Sequence, residues 1–227
     1  MSSYPKREKA KEAILEIGRR MYHQGFVAAN DGNISVRIGK DAVLATPSGV
    51  SKGFMKKKIL VVTDLEGNLI EGNGKPSSEL KMHLRAYKED DGLRSVCHAH
   101  PPFCTAFSIM KRPLDLPMLA EAVITLGDVP VTPYAELGSE EVPEAIAPYV
   151  RTHNGVILGN HGAVTWADDP FAAFYRLESM EYYAKITFLT DCLPGERNLL
   201  EKEEVERLIL MREKFGIRNG GYPKWPE

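Results

Sequence analysis

The sequence predicts an α/β fold: a single domain with a central, mainly antiparallel or mixed β-sheet flanked by α-helices. Three observations carry this. Short apolar runs of strand character alternate with stretches of helical period. They lack the regular strand–helix–strand rhythm of a doubly wound parallel sheet. No repeat, low-complexity stretch or linker divides the 227 residues, a length that suits one sizeable domain spanning residues 1–227.

The elements follow in order. Pro5 can open a helix running to about Gln24, with Ile14, Ile17 and Met21 at helical spacing and Gly25 as its stop. Ile34, Val36 and Ile38 alternate as in a strand with one buried face. Val43–Ala45 and Leu60–Val62 read as further strands, and Asp64–Gly67 as a turn. Ser77 or Ser78 can cap a helix from Glu79 to about Lys88, striped by Leu80, Leu84 and Tyr87. Ser95–His100 reads as a strand that Pro101 and Pro102 end, before a short helix over Phe103–Met110. Val129–Val131 is extended, and Glu140–Val150 is helical despite Pro143 and Pro148. Val156–Leu158 and Ala163–Trp166 are strands around the turn Gly159-Asn160-His161-Gly162. Asp168 or Asp169 caps a helix that Pro170 opens and that reaches about Leu189. A last helix covers about Lys202–Phe215. The Gly/Pro-rich tail from about residue 216 is expected to be mobile or to lie against a neighbouring subunit.

Composition excludes several functions. Lys and Arg number 29 against 31 Asp and Glu, a net charge of −2, which lacks the positive field of a general nucleic-acid binder. No uncharged apolar run approaches the roughly 18 residues that span a membrane. The N-terminus has no apolar signal-peptide core. Three cysteines, Cys97, Cys104 and Cys192, cannot all pair and form no C-x-x-C, so a reducing cytoplasm is the expected compartment.

The histidines carry the chemistry. His98 and His100 stand at i and i+2 of a strand, so both imidazoles share one face and can share one metal ion, while Ala99 and Cys97 face the opposite side. His161 projects from a glycine-flanked turn at another strand's end. Three neutral imidazoles are a common catalytic Zn²⁺ set. Taken alone, H-x-H is equally an alternating strand with two polar residues on one face. Glu79 at a helix start is either a carboxylate favoured by the helix dipole or a fourth ligand or general base. His23, His83 and His153 read as structural, His83 being a neighbour of Glu79 one helical turn on. The turns Asn30–Asn33, Thr46–Gly53 and Pro76–Ser78 offer N–H groups and hydroxyls to an oxyanion, or are merely turns. A Schiff-base lysine (Lys52, Lys81 or Lys185) is disfavoured, because none lies in an apolar run that would desolvate it.

In this order, Gly32-Asn33-Ile34-Ser35, Thr46-Pro47-Ser48-Gly49, Pro76-Ser77-Ser78-Glu79, His98-Ala99-His100 and Asn160-His161-Gly162 resemble the class II aldolase/adducin family, over about residues 6–192. The resemblance implies one Zn²⁺, or another divalent ion, per subunit, held by His98, His100 and His161. It implies Glu79 as acid/base and as ligand of the resting metal. It places a substrate phosphate on Asn33, Ser48, Gly49, Ser77 and Ser78. It implies cleavage of a ketose 1-phosphate to dihydroxyacetone phosphate and a small aldehyde, in a homotetramer with sites between subunits. Pentulose-phosphate 4-epimerases, sugar-acid-phosphate decarboxylases and non-catalytic adducin-like scaffolds share the family. One departure stands out. Aldolase members carry a tyrosine after the H-x-H helix, where this chain reads Pro113–Glu121 without one; Tyr134 and Tyr222 lie farther on.

Overall fold

Eight strands form one sheet in the order β4-β3-β2-β1-β5-β8-β7-β6 in the computed structural model, which describes residues 4–226. The strands are β1 (Asn33–Gly39), β2 (Ala42–Ala45), β3 (Val61–Thr63), β4 (Leu69–Glu71), β5 (Ser95–Ala99), β6 (Val131–Tyr134), β7 (Gly155–Gly159) and β8 (Gly162–Ala167). Every pairing is antiparallel except that of β6 with β7. Seven helices accompany them: α1 (Arg7–His23), α2 (Leu80–Glu89), α3 (Pro102–Ile109), α4 (Ala120–Thr125), α5 (Glu141–Ile146), α6 (Pro170–Cys192) and α7 (Lys202–Lys214).

The period-two alternation of the strands divides the interior into two layers. Ile34 and Val36 of β1, Leu44 of β2, Cys97 and Ala99 of β5 and Ala163 of β8 pack with α1, α3 and α6. Val43, Val96, Val164 and Trp166 point the other way, onto α2 and α5. Helices thus cover both faces of the sheet. Cys97 is buried in the first layer, as expected from its place opposite His98.

The helix signals translate directly. Asp169 caps α6 by accepting hydrogen bonds from the N–H groups of Phe171 and Ala172, and Pro170 occupies the first turn. The expected helix over 140–150 is shorter. It ends as α-helix at Ile146 and continues as a tight turn over Ala147–Tyr149, where Pro148 supplies no N–H. Two elements escape the sequence reading. β4 is an edge strand exposed at all three residues, so no buried face marks it. α4 spans only six residues, too few to display a period. β6 is the opposite edge, where its Pro133 is tolerated.

The described part of the tail lies along its own chain and makes specific contacts within it. Arg212 of α7, itself buried, donates to the carbonyls of Val123, Ile124, Gly220 and Gly221. Asn154 holds the Asn219 carbonyl at 2.6 Å, and Lys224 N–H meets the Asp115 carbonyl at 2.7 Å. One arginine satisfying four carbonyls offsets the flexibility of the glycines. Among the described residues no helix is long and apolar enough to cross a membrane.

Candidate metal centre

β5 lies in the middle of the sheet and delivers two of the expected ligands. His98 is its fourth residue, opposite Asn33 of β1 and Val164 of β8. His100 follows immediately after the strand. His161 sits in the β7–β8 hairpin, next to Asn160 in the left-handed conformation at φ 54°. The hairpin reaches β5 only because position 162 is glycine. A Cβ there would stand 2.5 Å from the Ala99 carbonyl oxygen and 2.7 Å from His100 Cδ2. Glu79 arrives from the start of α2 on one face of the sheet.

These four side chains converge. Glu79 Oε1 lies 3.0 Å from His161 Nε2 and 3.4 Å from His98 Nε2, and the Nε2 atoms of His98 and His100 are 3.2 Å apart. All four donor atoms lie within 4.8 Å of one another. A tetrahedral zinc site with bonds of about 2.0–2.1 Å has donor–donor edges of about 3.3 Å. Three of the edges therefore already have the length that a small divalent ion requires.

The protonation chemistry fits as well. His98 Nδ1–H donates to the Ala163 carbonyl at 2.9 Å, which leaves the Nε2 lone pair facing the cluster. His100 Nδ1 faces Asp31 Oδ2 at 3.3 Å, so a carboxylate orients this ring too. Burial and the neighbouring imidazoles pull His100 down to about 4, so it is neutral and able to ligate near pH 7. Burial pushes the Glu79 carboxyl upward, but His98 and His161 outweigh it and hold it well below the usual carboxylate range. A bound cation would act in the same direction. Its second oxygen accepts a 2.6 Å hydrogen bond from Asn33 Nδ2.

The expected anion-binding residues divide into two kinds. Ser48 and Ser77–Ser78 are drawn together because Ser48 N–H binds the Lys75 carbonyl at 2.9 Å and Pro47 bridges Pro76. Ser48, Gly49 and Ser78 are exposed, and Ser77 is half-buried with its Oγ accepting from Glu79 N–H at 3.3 Å. Gly49 has φ +74° and open space around it, so conformation and not crowding calls for glycine there. Asn33 is instead buried against Glu79, and its Oδ1 has no hydrogen-bond partner.

The remaining histidines stay outside the cluster. His83 is buried behind it with Nδ1 2.8 Å from Ser35 Oγ. His153 faces Asp128, and His23 ends α1. Among the three lysines, Lys52 departs from the expectation of an undesolvated side chain. It is buried although no apolar run surrounds it in sequence, because the chain folds over it. Its ammonium is held by the carbonyls of Asn30 and Val50. Lys81 pairs with Glu140, and Lys185 is exposed beside the Phe103 ring. Asp31 is a neighbour of the cluster that sequence reasoning passes over. A carboxylate in the glycine turn just before β1 is the signal that could have found it.

Comparison with known proteins identifies the family. The family described as Class II Aldolase and Adducin N-terminal domain matches residues 12–188. An L-fuculose phosphate aldolase of Methanococcus maripaludis is 35% identical over 180 residues, covering 79% of this chain and 97% of that protein. A 3-oxo-tetronate 4-phosphate decarboxylase of Haemophilus influenzae is 34% identical over 183 residues, covering 78% of this chain and 86% of the relative. A solved structure of L-fuculose 1-phosphate aldolase superposes with a TM-score of 0.82 at 33% identity, covering 92% of this chain and 96% of the other. With this ordered set of motifs, the chain belongs to the class II aldolase and adducin family.

Proposed function

We propose that the protein is a zinc aldolase that reversibly cleaves a ketose 1-phosphate, similar to L-fuculose 1-phosphate, into dihydroxyacetone phosphate and a small aldehyde. The observation that carries this reading is the convergence of three imidazole Nε2 atoms with Glu79 Oε1. His98, His100 and His161 hold the ion, with Glu79 as its fourth ligand before substrate arrives. When bound there, Zn²⁺ supplies Lewis acidity to the substrate's carbonyl and neighbouring hydroxyl oxygens.

The chain's own residues do the rest. In the addition direction Glu79 takes a proton from the carbon beside the ketone carbonyl, and that carbon then bonds to the aldehyde carbon. In cleavage the same carboxyl returns the proton. Asn33 holds Glu79 by its second oxygen, which leaves the first, on the histidine side, to move the proton. Ser48, Gly49, Ser77 and Ser78, with Asn33, bind the phosphate and spend its binding energy on orientation. The aldehyde oxygen needs a proton in the addition. Pro113–Glu121 contains no tyrosine to give it, and Tyr134 stands exposed on the sheet end that also carries the His161 turn.

A homotetramer with sites between subunits accompanies this reading. Tyr175, Tyr182 and Leu189 stand exposed at seven-residue intervals along α6, a stripe suited to a neighbouring copy. Light scattering at micromolar concentration tests it. The 34% identical decarboxylase supports a second reading, loss of CO₂ from a sugar-acid phosphate by the same proton chemistry.

The deciding experiment screens phosphorylated ketoses and sugar acids with separate readouts for triose phosphate and for CO₂. Triose phosphate release that a chelator abolishes and Zn²⁺ restores is the expected result. Epimerisation or CO₂ release without triose phosphate overturns the aldolase assignment. Protein purified without stoichiometric divalent metal would favour a scaffold.

A further inference from the structure

We infer that Lys52 is a positioning residue whose buried ammonium locks the turn bearing Ser48 and Gly49 to the segment bearing Asp31 and Asn33, so that anion binding and the metal cluster share one rigid support. The inference rests on the proposed phosphate role of those turns and adds a residue to it.

The geometry is specific. Lys52 is 2% exposed and among the largest fully buried side chains of the molecule. Its Nζ donates to the Val50 carbonyl at 2.7 Å and to the Asn30 carbonyl at 2.7 Å. Val50 follows Gly49 directly. Asn30 precedes Asp31, which faces His100, and lies three residues before Asn33, which holds Glu79. One cation therefore grips the main chain of both segments within three residues of Asp31, Asn33, Ser48 and Gly49.

The anchor itself does not float. Gly18 of α1 lies so close that a Cβ there would stand 2.6 Å from the Lys52 carbonyl oxygen, and Gly53 packs as tightly on the Tyr22 ring. The backbone of Lys52 is thus fixed to α1, and its side chain extends that fixed point to the two loops. No carboxylate neutralises the ammonium by direct contact among its hydrogen-bond partners. Burial drags Lys52 down to about 8 against the pull of Asp31 and Glu79, so it stays cationic near pH 7. An apolar side chain would leave two inward carbonyls unpaired, and an uncharged amine would leave their negative ends uncompensated behind a turn proposed to receive a dianion. The ammonium satisfies both and leaves positive charge there instead.

The test uses the metal-loaded full-length protein and sulfate, a dianion whose charge is constant across the working range. Wild type, Lys52→Met and Lys52→Arg are compared for metal content, sulfate affinity by calorimetry, and kcat and KM on the ketose 1-phosphate that wild type cleaves. Lys52→Met is expected to keep metal within twofold, to weaken sulfate at least tenfold and to raise KM at least tenfold with kcat within threefold. Lys52→Arg is expected to recover most of the sulfate affinity. Sulfate affinity and KM unchanged in Lys52→Met overturn the inference, as does an equal loss of kcat, KM and metal in both variants. Hydrogen exchange on wild type keeps the inference testable if the variants do not fold. Sulfate should slow the amides of residues 28–33 together with those of 46–53; slowing confined to 46–53 overturns the coupling. Wild type that binds no sulfate overturns the phosphate reading of the turns and this inference with it, whereas sulfate bound equally by wild type and Lys52→Met overturns the inference alone.

Discussion

The metal cluster and the serine turns stand side by side, yet they are built in opposite ways. The histidines come from the central strand β5 and the hairpin beside it, where both strand faces are buried and backbone pairs fix the register. The turns at 46–50 and 75–78 are largely exposed and are joined to each other by one bridge and one N–H···O bond. The difference suits the two tasks. A small ion tolerates little error in donor position, because its bonds are short. A phosphate is larger, is met by several N–H and O–H donors, and has to enter and leave. On the proposed reading, the sheet fixes the ion's donors to tenths of an ångström, whereas the phosphate turns, though anchored at Val50 by Lys52, keep their serine hydroxyls at the surface where a substrate can pass.

The sharpest way to break the rigid side is His100→Ala. It deletes one donor from a set whose edges already match a metal. Stoichiometric metal should be lost, and activity should fall to background, as measured by elemental analysis and a coupled triose-phosphate assay. Glu79→Gln separates ligation from proton transfer. It keeps an oxygen at the site but removes the base, so turnover should fall about 10²–10⁴-fold. Metal should be retained. Equal metal loss in both variants would make Glu79 chiefly a ligand.

Asp31→Asn probes the support behind a ligand. The carboxylate 3.3 Å from His100 Nδ1 orients the ring and raises its basicity. Metal affinity should drop about 10–100-fold, the usual range for such outer partners, in a competition titration with a chromophoric chelator. The compliant side should respond more gently. Ser78→Ala removes one exposed hydroxyl from a site with several donors. KM for the phosphorylated substrate should rise several-fold, with kcat and metal content unchanged. A larger effect on kcat than on KM would mean that Ser78 orients the reacting carbon and does more than hold the phosphate.

How much of this was legible depended on whether the cause was local. His98 and His100 share a face by strand period alone, and Cys97 faces away for the same reason. His161 was marked by the glycines around it and Glu79 by its place at a helix start. Its nearness to the histidines is not local: it needs α2 to bring Glu79 Oε1 to 3.0 Å from His161 Nε2. Lys52 and Asp31 lacked such marks. Their roles come from α1 closing over residues 52–55 and from the loop before β1 meeting the end of β5, contacts between segments far apart in sequence. The contacts of the tail are illegible for the complementary reason. Its glycines are local, whereas the arginine that holds them, Arg212, also binds carbonyls of α4 almost ninety residues earlier.

The rigid side also carries an acid liability, the smallest of these effects. His83 is buried under the cluster, with Nδ1 against Ser35 Oγ and Nε2 without a hydrogen-bond partner. Burial, helped by His98, lowers it to about 3 from an ordinary 6.5. The unfolded chain therefore takes up a proton below about pH 6.5 that the folded chain refuses until about pH 3. The resulting stability is fully present above the unfolded value and is lost as pH falls through that window. One such group contributes a slope of at most about 1.4 kcal/mol per pH unit. His83→Gln keeps a hydrogen-bonding partner for Ser35 and does not titrate. Urea unfolding of the chelated protein between pH 7 and pH 5 should therefore show a smaller loss of stability in the variant than in wild type. Parallel losses in the two would show that His83 is already protonated in the fold, and that the layer beneath the histidine cluster admits charge, and so is less sealed than the strands above it.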